Sequence, residues 1–559
     1  MVMSSPQARP APCRGRLALL MLLALGLRLP TLGQSIWFDE ACMSHQRVGS
    51  LEQLFATLYV DIHPPLFLSF MHFWGRLMGD GEVMMRLPAL ACGLASIPLT
   101  YLIARRLLGG PVAMGAALAA CLSPVHLWYS IEARLYAPNL LLALLAIWLF
   151  HRVLDGVKGH NMLWLVGVMM VMVGVHYYLA IFLVVFFLIS LFAPRLGSTR
   201  KTGLKLMAWS AAVCLGILAF VALKLSMAEF ETSQGYMGEF SLLEAYRLFF
   251  QWCLTGNASA GGLGIDGKPS VAIGSLGGMF WVLMQAAGVA LFALGAKRIA
   301  FMAKQRPEAA CVFAYLACMP IFLALLTLLG FTGTFIERSA LPALPFFFMV
   351  LAAGWDSLQV KQVRSAVAVC CVALLGINLA IFFARPDART VYKPHQDWRA
   401  AAAYLGTEID LGLAAPSMFT GMPNQRSLSY YDDRIQTHAN LLSSGGKLPG
   451  AKKAFEKRLG KSLGGKVGAY AEQVINTVEQ TKAELMAGSE ILLYPIRKGT
   501  LASLDAAALG ASDTFYVLNN HWHPPGDLRA PRLAADPGVT VVDRLEFRGI
   551  TIYKLRLSP

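Results

Sequence analysis

The sequence predicts an α-helical polytopic membrane protein with a small α/β domain at its C-terminal end, and three observations carry that expectation. Of its 559 residues, 56% are hydrophobic and only 14% are charged, where a soluble globular chain carries about 25% charged residues. About eleven apolar segments approach the roughly 20 residues that a helix needs to cross a bilayer, and the last of them ends near residue 384. The loops between these segments alternate between rich and poor in Lys and Arg.

The first segment, 16–33, follows Arg9, Arg14 and Arg16 and contains the apolar run Leu17 to Leu27. A basic start and a short apolar run also describe a signal peptide. Here Arg28-Leu29-Pro30-Thr31 follows in place of a small-x-small cleavage site, so the segment is read as an uncleaved first spanning helix. The remaining segments are 86–104, 111–124, 136–151, 161–175, 177–193, 204–223, 276–296, 308–330, 339–357 and 365–384. One set of loops holds Arg105-Arg106, Arg152 and Lys158, Arg195 to Lys205, Lys297 to Arg306, and Lys361 with Arg364. By the positive-inside rule this set and the N-terminus are cytoplasmic. The loops 34–85, 124–135, 224–275 and 331–338, and a tail from about residue 386, are then outside.

Leu66 to Gly79 is apolar but short and contains His72 and Arg76. A span there would swap the side of every later loop, so it is read as a helix lying in the outer interface. Leu51, Leu54, Phe55 and Leu58 fall on one helical face and predict a similar helix over 50–58. The net charge of +15 fits basic inner loops and calls for no nucleic acid. The ten cysteines all lie between Cys13 and Cys371 with no zinc-ligand spacing, and read mainly as small hydrophobes. Cys42 and Cys253 fall in predicted outer loops, which makes them the one pair placed for a disulfide.

The chain divides into a membrane domain, 1–385, and an outer domain, 386–559. Helical patterns fall near 397–405 and 466–487. Strand-like runs fall at Glu490–Tyr494, Thr514–Leu518, Val539–Val542 and Ile550–Leu555, the last two forming a hairpin that turns near Arg548-Gly549. Gly-rich 256–278 reads as a loop.

The chemistry concentrates in the outer loop 34–85. Trp37-Phe38-Asp39-Glu40 follows the first span, and Asp61-Ile62-His63-Pro64-Pro65-Leu66 follows twenty-odd residues later. Ionisable groups at a membrane surface are costly to hold there and usually functional. The plainest reading of Asp39-Glu40 is an Asp N-cap with Glu in the first turn. The plainest reading of Pro64-Pro65 is a helix start, although its stiffness would also fix Asp61 and His63. A third run, Trp128 to Ala137, carries Glu132, Arg134 and Tyr136. His176-Tyr177-Tyr178 closes a further span, and Glu337-Arg338 opens another. Arg338 sits on the side that is otherwise poor in cations.

Together these motifs resemble the GT-C glycosyltransferases, and within them the bacterial protein-mannosyltransferase-like group, glycosyltransferase family 39, which is also similar to the aminoarabinose transferases of lipid A. The resemblance covers roughly the first 390 residues and is strongest over 34–140. Asp61 to Leu66 is similar to the Asp-Val-His-Pro-Pro-Leu motif of protein mannosyltransferases, with Ile62 for Val. Phe67-Leu68 stands where eukaryotic members often have Gly-Lys. Asp397 to Leu405 and Tyr430-Tyr431 resemble the periplasmic tail of the bacterial group.

The resemblance implies a polyprenyl-phosphate sugar donor, inversion at the anomeric carbon, and a lipid, glycan or protein acceptor at the outer face of a bacterial inner membrane. In that chemistry a carboxylate accepts the proton of the attacking hydroxyl and cations stabilise the departing phosphate. Asp39 is the expected base, Asp61 the second acid, and Glu40 a loop support or sugar ligand. His63, Arg134 and Arg338 are expected phosphate ligands, with Glu132, Tyr136, His176 and Tyr177 completing the substrate site. No cofactor is required; a monophosphate leaving group does not demand a metal, though some relatives bind a divalent ion. Two other classes compete: a transporter or flippase, which would place its ionisable groups within broken spans, and a non-catalytic component of envelope polysaccharide assembly.

Overall fold

The computed structural model describes residues 14–37, 39–41, 43, 51, 54, 58, 63–157, 159–227, 242–255, 276–331, 334–335, 337–384, 396–414, 417–420, 426–437, 491–495, 513–520, 529–547 and 550–558. Each of the eleven predicted apolar segments falls on helix. Among the described residues, seven helices are long and apolar enough to cross a membrane, beginning with Glu82–Leu107 and ending with Lys361–Ala380. Gly110–Leu122, Asn161–Val175 and Tyr177–Ser190 are apolar but shorter.

The helices that position the site are α1 (Arg14–Arg28), α2 (Pro65–Met78), α3 (Glu82–Leu107), α4 (Gly110–Leu122), α5 (Pro124–Tyr129), α6 (Tyr136–Leu154), α7 (Asn161–Val175), α8 (Ala180–Ser190) and α9 (Arg200–Met227). They are followed by α10 (Leu242–Thr255), α11 (Leu276–Gln305), α12 (Cys311–Leu328), α13 (Leu344–Asp356) and α14 (Lys361–Ala384). Helix α3 begins a full turn before the predicted span, with Glu82 in its first turn, where a carboxylate complements the helix dipole. It packs against α4 and α6, and α13 packs against both α4 and α11. The predicted interface helix at 66–79 is α2. Of the helix predicted over 50–58 only residues 51, 54 and 58 are described; Leu54 is buried and Leu51 exposed, while Phe55 lies outside the described residues. Cys253 is a buried free thiol, which corrects the expectation of a disulfide to Cys42. Its burial in the helical core explains why it behaves as a hydrophobe rather than a loop cysteine.

The basic loops gather into ion pairs. Arg106 binds Asp155 in a two-pronged contact, Arg306 donates to the Arg106 carbonyl (3.0 Å), and Asp356 takes both Arg298 and Arg364. At the other ends of these helices lie the site residues.

Among the described residues the tail forms a six-stranded sheet in the order β2-β3-β1-β4-β6-β5. Its strands are β1 (Ser417–Thr420), β2 (Ile435–Thr437), β3 (Ile491–Pro495), β4 (Thr514–Asn520), β5 (Val539–Phe547) and β6 (Ile550–Leu557). The pairs β2–β3, β3–β1 and β1–β4 are parallel, while β4–β6 and the β5–β6 hairpin are antiparallel. Helices α15 (Trp398–Asp410) and α16 (Arg426–Tyr431) cover one face, where Trp398, Leu405 and Leu428 pack on Met418, Tyr516 and Ile552. The predicted helix at 466–487 and the turn at 548–549 lie outside the described residues.

Helices α11 and α13 touch backbone to backbone at two glycines. A methyl on Gly354 would lie 2.0 Å from the Leu291 carbonyl oxygen, and one on Gly295 would lie 1.9 Å from that of Val350. Gly354→Ala should therefore destabilise the chain by about 1–3 kcal/mol or more, as overpacking does. Gly167→Ala, where no neighbouring atom lies within 4 Å, should be neutral or stabilising because it removes a helix-interior glycine. Thermal unfolding of both variants in detergent checks this contrast.

Candidate active site

The segment 32–36 between α1 and the Asp39 turn is irregular, and irregular buried backbone needs partners for its polar groups. Arg86, one turn into α3, supplies them. Its Nη1 donates to the carbonyls of Leu32 (2.8 Å) and Gln34 (2.6 Å), and its Nη2 donates to that of Ser35 (3.3 Å). Its Nε and Nη2 also grip Glu40 at 2.9 and 2.6 Å. These contacts use all five guanidinium donors. Glu40 accepts in addition from the Ala133 N–H (2.9 Å) and the Trp37 N–H (3.4 Å). Glu40 thus ties three pieces together: α3, its own turn, and the 130–135 loop. Both of its oxygens are engaged in this anchoring.

The Ala41 N–H donates to the Trp37 carbonyl at 2.9 Å, which opens the turn. Asp39 therefore lies inside the turn, a correction to its reading as the N-cap. Its carboxylate sits 3.5 Å from Arg338 Nη1, a loose ion pair with both side chains partly exposed. Arg134 Nη1 points to the Asp39 carbonyl at 3.5 Å. Arg134 and Arg338 also stand 5.9 and 5.6 Å from the Tyr136 ring centroid, so one aromatic ring seats two cations. Asp39, Arg134, Tyr136 and Arg338 are thereby brought together from three separate stretches of sequence.

His63 and His176 meet edge to face with centroids 6.1 Å apart. The His176 Nδ1 accepts the Tyr178 N–H (3.1 Å), which leaves the proton on Nε2. Burial, with smaller contributions from the neighbouring His63 and Arg134, pushes the His176 pKa down to about 3, so it is a neutral donor rather than a charge. Tyr177 packs on Phe220 (6.5 Å between ring centroids), at the edge of this group. Asp61 lies outside the described residues. Among the described residues, no three His, Cys, Asp or Glu side chains are clustered to hold a metal ion.

Two apolar grooves flank the histidines. The larger, about 750 Å³, runs between α2, α3 and α7 and is lined by Leu66, Phe70, Trp74, Leu87, Pro138 and Val175. The other, about 450 Å³, lies between α7 and α9 under Pro64-Pro65.

A second buried cation, Arg28, was invisible as a site residue in the sequence. It donates to the Ala24 carbonyl and to His126 Nδ1, each at 2.8 Å. His126 Nε2 then carries the proton and meets Ser96 Oγ (2.7 Å), whose hydroxyl donates to the Gly93 carbonyl (2.7 Å). This chain fixes α5, and through it the start of the 130–135 loop. An arginine ending an apolar run was the available signal. For Arg86 the signal was its spacing from Glu82, four residues apart on one face of α3.

Glu132 is buried, and neither carboxylate oxygen has a hydrogen-bond partner among the described residues. It borders a water-sized cavity of about 10 Å³ shared with Glu40, Arg86 and Trp37. Burial raises its pKa from 4.5 to about 8; Arg338 opposes this, and Asp39 and Glu40 add to it. Folded Glu132 therefore holds its proton through a range in which the unfolded chain has lost it. The folded state binds more protons there, so stability should fall as pH rises from about 4.5 to about 8. Glu132→Gln should flatten that fall, which unfolding temperatures measured across this range would reveal.

A family model described as Dolichyl-phosphate-mannose-protein mannosyltransferase matches residues 62–225. The matched stretch holds His63, Glu132, Arg134, Tyr136, His176 and Tyr177, while Asp39, Glu40, Asp61 and Arg338 fall outside it. No curated protein matches the chain. Among solved structures, ArnT from Cupriavidus metallidurans in the apo state is 14% identical over 97% of this chain and 98% of its own, with a TM-score of 0.47. The same protein bound to undecaprenyl phosphate gives 13%, 97%, 98% and 0.46. The Archaeoglobus fulgidus oligosaccharyltransferase in complex with Zn and sulfate is 14% identical over 83% of this chain and 67% of its own, with a TM-score of 0.43. Over residues 62–225, less than a third of its length, the chain is similar to the family described as Dolichyl-phosphate-mannose-protein mannosyltransferase.

Proposed function

We propose that the protein is an inverting glycosyltransferase that moves a sugar from a polyprenyl-phosphate donor to an envelope acceptor at the periplasmic face of a bacterial inner membrane. The observation that carries this reading is the cluster in which the Asp39 carboxylate lies 3.5 Å from the Arg338 guanidinium while Arg134 reaches the Asp39 backbone carbonyl. The family segment supports a lipid-linked sugar phosphate as the donor. In this reading residues 1–385 are the catalytic membrane domain and 386–559 a periplasmic domain.

The acceptor hydroxyl attacks the anomeric carbon from the face opposite the phosphate. Its proton passes to Asp39, the bond from the anomeric carbon to the phosphate oxygen breaks, and the electron pair leaves on the phosphate. Arg134 and Arg338 hold that phosphate, with His63 beside them. The Asp39–Arg338 contact is long at 3.5 Å, so an arriving phosphate can draw Arg338 away and leave Asp39 more basic. Protonated Glu132 and the His176 Nε2–H are donors to sugar or phosphate oxygens, with Tyr136 and Tyr177 lining the site. Asp61 orients the acceptor or sugar. The lipid tail lies in the larger apolar groove, whose lining includes Pro138 and Val175, neighbours in sequence of Tyr136 and His176.

The test uses purified protein and a panel of undecaprenyl-phosphate monosaccharides, with donor binding and turnover measured separately. Mass spectrometry of envelope lipids and glycans with and without the gene identifies the acceptor. Asp39→Asn should retain donor binding while turnover falls by about 10²–10⁴-fold. Arg338→Ala should weaken donor binding as well as turnover. Near wild-type turnover in Asp39→Asn would transfer the base role to Asp61. A reporter fused to the C-terminus should be active only if it works outside the cytoplasm; cytoplasmic activity would overturn the sidedness and the site with it.

A further inference from the structure

We infer that Tyr431 and Arg399 of the C-terminal domain are positioning residues for Asp39, so that sugar transfer depends on a clamp between this domain and the 32–36 segment. The inference rests on the reading of Asp39 as the base. Tyr431 lies 395 residues after Ile36, yet its hydroxyl accepts the Ile36 N–H at 2.8 Å and donates to Glu82 Oε1 at 3.0 Å. The Arg399 N–H, in the first turn of α15, donates to Ser35 Oγ (3.2 Å). Its guanidinium Nη2 reaches the Gly33 carbonyl (3.0 Å) and its Nε reaches Glu82 (3.1 Å). Tyr430 adds a hydrogen bond to the Asp80 carbonyl. Below the hydroxyls, Tyr430 and Tyr431 pack on a small apolar cluster of Ile36, Ala41, Met85 and Ala133.

The contacts to the 32–36 segment are divided between two sides. Arg86 holds the carbonyls of Leu32, Gln34 and Ser35 from the membrane side. The C-terminal domain holds the Gly33 carbonyl, the Ser35 hydroxyl and the Ile36 N–H. Neither set covers the segment without the other. Glu82 and Arg86 are successive turns of one helix face, so the clamp and the Glu40 anchor share a base. Ile36 is buried, and losing the Tyr431 hydroxyl leaves its N–H unsatisfied. The next residue, Trp37, supplies the carbonyl that opens the Asp39 turn. The Arg399–Glu82 pair is half exposed and adds little as an ion pair. Its value is geometric, since it fixes where α15 sits on the loop.

The variants are Tyr431→Phe, Arg399→Ala and Arg399→Lys in the full-length protein. Each is assayed with the undecaprenyl-phosphate sugar that the wild type turns over. Tyr431→Phe should lower kcat on the order of tenfold and Arg399→Ala by up to about 100-fold, the scale on which slight misplacement acts. Donor KM should stay within about twofold, because Arg134 and Arg338 are untouched. Unfolding temperatures should stay near wild type, and Arg399→Lys, whose single ammonium keeps Glu82 but not the forked reach to the Gly33 carbonyl, should restore only part of the rate. Hydrogen–deuterium exchange of the amides in 33–37 should rise in the first two variants. Wild-type kcat in Tyr431→Phe and Arg399→Ala, or a loss confined to donor KM, overturns the inference while leaving the glycosyltransferase reading intact. Unchanged exchange overturns it too. A wild type inactive with every sugar of the panel overturns that reading instead, and the inference with it.

Discussion

The buried Arg86–Glu40 pair is the constraint on which the candidate site of this protein depends. A buried ion pair gains little net stability by itself, because two charges have lost their water. Removing one partner is another matter and typically costs about 3–5 kcal/mol, since the other charge is stranded. Here the pair is embedded in backbone. The guanidinium satisfies three carbonyls of an irregular segment, and the carboxylate satisfies amides of two others. An isolated 32–40 loop could not bury those groups. With Arg86 beneath it, the loop becomes a fixed floor on which Asp39 and the 130–135 loop take up one arrangement.

That arrangement explains which parts of the molecule could be read from sequence. Apolar runs are local, so every predicted segment proved helical, and the β5–β6 hairpin showed in its alternation and flanking glycine. Strands β1 and β2 span only 417–420 and 435–437. β1 is a strand because β3 and β4 flank it, and β2 because it pairs along β3, which no local pattern records. Asp39, Arg134 and Arg338 were legible because charge at a membrane surface is conspicuous, and Arg338 because it sits on the side poor in cations. Glu82 and Arg86 were passed over because charges bordering an apolar run read as its boundary. Their partners, Glu40 at 46 residues' separation and Tyr431 at 349, are fixed only by the fold. The cap reading of Asp39 was off for the same reason: the turn opens at Trp37, whose N–H is held by Glu40.

The charge balance of the cleft gives the geometry its chemical sense. Arg86 and Glu40 cancel each other and are closed off from the cleft. What remains open are Arg134 and Arg338 against Asp39, with Glu132 holding its proton and His176 neutral. Among these groups the cleft carries one positive charge in excess. A sugar joined to a polyprenyl phosphate is a phosphodiester with a single negative charge, which on the proposed reading matches the excess of these five side chains, Asp61 and His63 not being counted. As the bond to the sugar breaks, the phosphate gains negative charge beside the two arginines while the acceptor's proton neutralises Asp39. The arginines then face a stronger anion with their competing carboxylate discharged, so their attraction grows along the reaction. Interactions that strengthen toward the transition state are the ones that raise turnover. Glu132 contributes by staying neutral, because an ionised carboxylate there would cancel the excess charge the donor needs.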